Sequence, residues 1–75
     1  MELKKFIKLF AEQFEETSAD QFLPNTSFKD LDEWDSLTAL SVIAMIDEEM
    51  EKRITGADIR SCNTIEDLYK KAISN

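Results

Sequence analysis

The sequence predicts an all-α fold, a small four-helix bundle of three main helices and one short one, with a long loop between helices one and two. Three observations point there. The 75 residues suit one small domain, near the size at which a single core only just holds a fold together. One Gly and one Pro leave few sites for the tight turns of an all-β design, whereas Leu, Lys, Glu, Ala and Met favour helix. Apolar residues also recur at helical spacing in separate segments. The single Cys62 cannot form an internal disulfide, so stability must come from packing, and a reducing compartment, the cytoplasm, is the expected address. Lys4, Lys5 and Lys8 resemble a basic leader, but no long apolar run follows, so neither a signal peptide nor a membrane span is expected.

Helix one is marked by Leu3, Phe6, Ile7, Phe10 and Phe14, an amphipathic stripe expected to run to about Glu16. Its charges oppose the macrodipole, with lysines near the positive end and Glu12, Glu15 and Glu16 near the negative one. From Thr17 to Asp35 the pattern breaks. Ser18, Pro24, Asn25, Thr26 and Ser27 supply turn chemistry, and Phe22, Leu23, Phe28 and Leu31 are expected to pin this long connection across the bundle. Helix two should run from Ser36 to about Glu51, capped by Asp35 or Ser36, with Ala39, Val42, Ile43, Ile46 and Met50 as its core stripe. Leu37, Leu40, Ala44 and Met45 add apolar surface beyond that stripe, most of it expected to pack against the long loop. Thr55-Gly56 reads as a break, and Ala57 to Ser61 as at most one helical turn with Ile59 and Cys62 inward. The last helix opens at Thr64-Ile65-Glu66-Asp67 and has Ile65, Leu68, Tyr69, Ala72 and Ile73 on its apolar side. Glu66 with Lys70 and Asp67 with Lys71 are favourable i, i+4 pairs.

Charge and residue inventory exclude several functions. A net charge of −7 argues against nucleic acid, whose phosphates are bound by clustered Lys and Arg. Between residues 30 and 51 lie eight acids (Asp30, Asp32, Glu33, Asp35, Asp47, Glu48, Glu49, Glu51) and no base, so a partner reading that surface should be basic. With no His and one Cys, a serine or cysteine nucleophile lacks its usual base, and no catalytic residue is assigned. Asp30-Leu31-Asp32 begins like a calcium loop. However, Asp35 stands where its glycine is needed and Ser41 where its bidentate glutamate belongs, so no metal site is expected.

Ser36 remains, as a residue acted upon. On spacing alone, Ser36 or Asp35 simply caps helix two. Yet two cap-type residues stand in a row beside Trp34, which is expected to pack on the loop, and a phosphate ester on Ser36 would lie at a helix N-terminus, where free N–H groups and the dipole favour negative charge. Asp35-Ser36-Leu37 is preceded by Phe28-Lys29-Asp30-Leu31 and followed by an apolar helix ending Ile46-Asp47-Glu48-Glu49-Met50. Thr64-Ile65-Glu66-Asp67-Leu68 then opens the final helix. In this frame, which covers nearly the whole chain, the sequence resembles the acyl carrier protein family.

The resemblance implies a four-helix bundle of acyl-carrier type, residues 1–75 as a single carrier domain, and a covalent 4'-phosphopantetheine arm on Ser36, taken from coenzyme A by a separate phosphopantetheinyl transferase. The arm's thiol would carry acyl intermediates as thioesters for fatty-acid, polyketide or a specialised synthesis, and the chain itself would catalyse nothing. Asp35 would help the transferase engage. Helix two, through Leu37, Thr38, Leu40, Ser41, Asp47 and Glu48, would meet acyl-loading and acyl-processing enzymes with basic patches, the carrier acting as a monomer away from membranes. Two departures are present. Trp34 stands where carriers of fatty-acid synthesis have a small residue, and Thr38 and Ser41 stand where they have acids, a pattern more like that of dedicated carriers. An aminoacyl, peptidyl or D-alanyl carrier is the alternative within the class, and an acidic helical adaptor without cofactor is the alternative outside it.

Overall fold

Helix α1 spans Leu3–Ala11, α2 Ser36–Met50, α3 Gly56–Ser61 and α4 Ile65–Ser74, in a computed structural model that describes residues 1–74. Two short 3-10 turns, Ala19–Gln21 and Phe28–Asp30, punctuate the long connection between α1 and α2. Among the described residues the only extended pairing is an isolated bridge between Ser27 and Thr64, and no helix is long and apolar enough to cross a membrane.

The core follows from the periodicity of α1. Phe6 and Phe10 are fully buried, and Phe14 nearly so, and their rings meet aromatic partners from three other segments. Phe6 lies 5.4 Å from Tyr69 of α4, Phe10 lies 5.7 Å from Phe28, and Phe14 lies 4.9 Å from Phe22. The apolar side of α4 packs here through Ile65, Leu68 and Ala72, while Ile73 remains exposed. Burial of this aromatic payload is the main driving force for the fold.

Helix α1 ends earlier than its stripe suggests, at Ala11 and not near Glu16. The reason is tertiary. The backbone N–H groups of Glu15 and Glu16 donate to the Glu33 carboxylate at 3.0 and 2.8 Å, as does that of Thr17, so the chain leaves the helical path to satisfy a remote acceptor.

The long loop is pinned to the bundle by Phe22 and Phe28, both buried, and by half-buried Leu31, whereas Leu23 is exposed. It also caps α4 with its backbone. The carbonyl of Thr26 accepts from Ile65 N at 3.2 Å and that of Pro24 from Glu66 N at 3.0 Å, satisfying donors that a helix start otherwise leaves free. A reciprocal box completes that end, because Asp67 N donates to Thr64 Oγ1 and Thr64 N to the Asp67 carboxylate, each at 3.1 Å. This use of Asp67 displaces the expected pairing along α4. Lys71 instead reaches Asp58 of α3 at 3.8 Å.

Helix α3 is a full six-residue helix, more than the single turn expected. Its start is a capping box between Thr55 and Asp58, with bonds of 3.0 and 3.1 Å, which offsets the helix-weakening effect of Gly56. Helix α2 has its expected bounds and ends at Glu51, which adopts φ 55° and ψ 37°, a left-handed conformation usually held by glycine.

Candidate functional site

Helix α2 presents its first residue, Ser36, to solvent. The choice between the two capping candidates is resolved locally. Asp35 is the cap, its carboxylate accepting from Thr38 N at 2.8 Å. This bond is the chief reason its carboxyl titrates below the ordinary value. The Ser36 hydroxyl makes no hydrogen bond among the described residues, so nothing in the fold uses it.

The approach to Ser36 is held rigidly from behind. Besides the backbone donors beyond the end of α1, Glu33 accepts from Thr17 Oγ1 at 2.5 Å, and Thr38 donates its hydroxyl to the Glu33 carbonyl at 3.0 Å. The Thr17 hydroxyl above all, then the backbone N–H groups, holds the Glu33 carboxyl below its usual range against the opposing effect of partial desolvation. Trp34 is half-buried, stacked at 9° against Phe10 and edge-on to Phe28 with ring centres 4.9 Å apart. Glu33 and Trp34 therefore clamp the lead-in while Asp35 caps the helix, and Ser36 is the first side chain left free.

Beside Ser36 is a cavity of about 520 Å³ between α2 and α3, within the range of small-ligand pockets. Ala39, Leu40 and Ile43 of α2 and Ile59 of α3 give it a mostly apolar lining, Trp34 and Ser36 border it, and Lys29 and Arg60 bring positive charge. The loop and α3 are joined here by Lys29, whose Nζ donates to the Arg60 carbonyl at 3.0 Å.

The outward face of α2 differs from expectation. Of the surplus apolar residues only Met45 is buried. Leu37 and Leu40 are 74% and 61% exposed, and Ala44 is exposed as well. Packing on the long loop thus does not account for them. Ser41, Asp47 and Glu48 share solvent exposure with Leu37, while Thr38 is half-buried. Two of the eight acids counted in the sequence, Glu33 and Asp35, are engaged by the fold's own donors. Sequence reasoning counted Glu33 only among the acids of the charged face and gave no role to Lys29 or Arg60; the partners of Glu33 and Lys29 are far away in the chain. The capping box at Thr55 and Asp58 did have a local signal in its T-x-x-D spacing.

Cys62 is buried, and burial pushes its thiol above the ordinary range, so it behaves as a small core residue with little thiolate to offer.

An exposed, unbonded hydroxyl at the head of a helix, next to an open cavity, can accept a bulky phosphate ester without disturbing a buried group. Neither the curated proteins nor the solved structures compared with the chain give a significant match. The family described as phosphopantetheine attachment site matches residues 4–71, which include the three capped helix starts, the clamped lead-in and Ser36. The chain therefore belongs to the phosphopantetheine-dependent carrier family, whose members bind covalently attached 4'-phosphopantetheine.

Proposed function

We propose that this chain is an acyl carrier protein, a single carrier domain over residues 1–75 that receives the arm on Ser36 from coenzyme A and presents acyl intermediates to successive enzymes without catalysing a reaction itself. The observation that supports this best is the Ser36 hydroxyl, exposed and without a hydrogen bond at the first residue of α2. When bound, the arm supplies the nucleophilic thiol that this chain's own residues lack. Asp35 fixes the helix start so that Ser36 is offered to a phosphopantetheinyl transferase in one orientation. The first-turn N–H groups favour the negative charge of the phosphodiester. Leu37, Leu40 and Ser41, with Asp47 and Glu48 further along α2, form the face that partner enzymes with basic patches read. Thr38 contributes through the bonds that hold the lead-in. Positive charge at Lys29 and Arg60 disfavours the ammonium of an aminoacyl cargo near the cavity, which argues for an acyl cargo over an aminoacyl or D-alanyl one.

Intact-mass measurement after incubation with coenzyme A and a phosphopantetheinyl transferase tests the reading. The wild type should gain the mass of one arm, and Ser36→Ala should gain none while keeping its stability to within about 0.5 kcal/mol, because the lost hydroxyl has no partner. An unchanged wild-type mass across several transferases would overturn the carrier reading. If salt-sensitive binding to a basic protein also survived Ser36→Ala, an adaptor role would replace it.

A further inference from the structure

The cavity beside Ser36 combines two features that no single simple occupant explains. Its lining is mostly apolar, yet two cations stand at it in a protein of net charge −7. Their placement is built in. Lys29 is tied to α3 by its bond to the Arg60 carbonyl, and its Nζ lies 5.9 Å from the centre of the buried Phe28 ring, close enough for a cation–π attraction. Arg60 folds back over the start of its own helix. Its Nη1 lies 3.4 Å from where a Cβ at Gly56 would stand, so the guanidinium rests against Gly56 at the border of the cavity.

Neither cation is neutralised by the protein. Among the described residues no carboxylate forms an ion pair with either of them, and the one carboxylate bordering the cavity, Asp35, is occupied with the α2 N-terminus. A plain alkyl group on the arm would fill the lining and leave both cations to the phosphodiester at Ser36, whereas a carboxylate-ended group would fill the lining and meet the cations with the same chain.

We infer that the cavity is a specificity pocket for an acyl group ending in a carboxylate, a dicarboxylic acid joined to the arm through one end, with its methylenes against Ala39, Ile43 and Ile59 and its free carboxylate at Lys29 and Arg60. This rests on the carrier reading of Ser36 and adds the substrate class. Arg60 and Lys29 are then the residues that distinguish a charged cargo from an uncharged one of equal length. The guanidinium can offer two parallel N–H donors to the carboxylate, which a point charge cannot do.

The test uses full-length chain loaded with an arm bearing a butyryl group, a succinyl group labelled with 13C at its free carboxyl, or no acyl group, each joined by a hydrolysis-resistant amide and each confirmed by intact mass. In the wild type the labelled carboxyl should titrate about half a unit or more below its value in a small-molecule reference, as expected for an anion near cations. The succinyl form alone should shift the amide signals of Lys29, Gly56 and Arg60. Arg60→Gln, which keeps the carbonyl that Lys29 uses, should remove most of the titration shift, and Lys29→Met with Arg60→Gln should remove all of it, with circular dichroism showing the helices retained. Three results would overturn the inference: equal amide shifts from butyryl and succinyl forms, full shifts from the arm without an acyl group, which would assign the cations to the phosphodiester, or an unshifted carboxyl in the wild type. A chain that gains no arm mass would overturn the carrier reading, and this inference with it, by a separate readout.

Discussion

Phe28 is the residue on which the geometry ahead of Ser36 depends most. It is fully buried in the long loop, with its ring centre 5.7 Å from Phe10 and 4.9 Å from Trp34 in edge-on arrangements. Replacing it by Ala removes a large apolar side chain and leaves a cavity under the loop, which costs about 3 to 5 kcal/mol, including aromatic contacts of about 0.5 to 1.5 kcal/mol each. A domain of this size has a total stability of roughly 4 to 11 kcal/mol, so Phe28→Ala should be near its unfolding threshold at 25 °C. Phe28→Leu, which keeps most of the volume, should cost about 1 to 1.5 kcal/mol and lower Tm by roughly 4 to 12 °C. Urea unfolding followed by fluorescence of Trp34, the single tryptophan, measures both, because the indole stacks on the same cluster. A loss under about 1 kcal/mol for Phe28→Ala, far below the range for buried aromatics, would refute the argument that this ring anchors the loop.

Two further substitutions probe the local devices. Glu33 has its carboxyl held below the ordinary value of 4.5 by the Thr17 hydroxyl and the backbone N–H groups of Glu15 to Thr17. Its stabilisation is therefore present above pH 4.5 and lost as pH falls through the lower folded value. Glu33→Gln should be less stable than wild type at pH 7, with the gap closing under acid, and equal differences at pH 7 and at pH 3 in thermal melts would count against the cradle. Glu51 sits at φ 55°, where a side chain is strained and glycine is not, so Glu51→Gly should raise stability by about 0.5 to 1 kcal/mol. A lower urea midpoint for that variant would show that the side chain's contacts outweigh the backbone strain.

The helical stretches were readable because their causes are local. Phe6 and Phe10 recur at the helical period, Asp35 precedes the apolar run of α2, and Thr64 stands three residues before Asp67, so each element announces itself within one or two turns. Errors arose where a distant partner intervened. The stripe of α1 continues to Phe14, but the helix ends at Ala11, because the next N–H groups serve a carboxylate 16 to 18 residues away. Leu37 and Leu40 were expected to be mostly covered by the loop, and their exposure was illegible because apolar periodicity cannot say how far a neighbouring loop reaches. At the site, Ser36 and Asp35 could be singled out from their order ahead of α2, whereas Thr38's role in holding the lead-in needed the Glu33 carbonyl to be placed first.

The sequence by itself determined an all-helical chain and a serine at the head of its most apolar helix, since spacing and capping chemistry act over a few residues and leave a periodic trace. The structure settled locally that Asp35 caps and leaves Ser36 unbonded, and only the tertiary structure decided that Pro24 and Thr26 cap α4 with their carbonyls. It alone brought Lys29 to the Arg60 carbonyl across 31 residues, beside the cavity at Ser36. Those pairings join backbone and side-chain groups far apart in the chain. Their free energy depends on a distance that exists only once the aromatic core has closed.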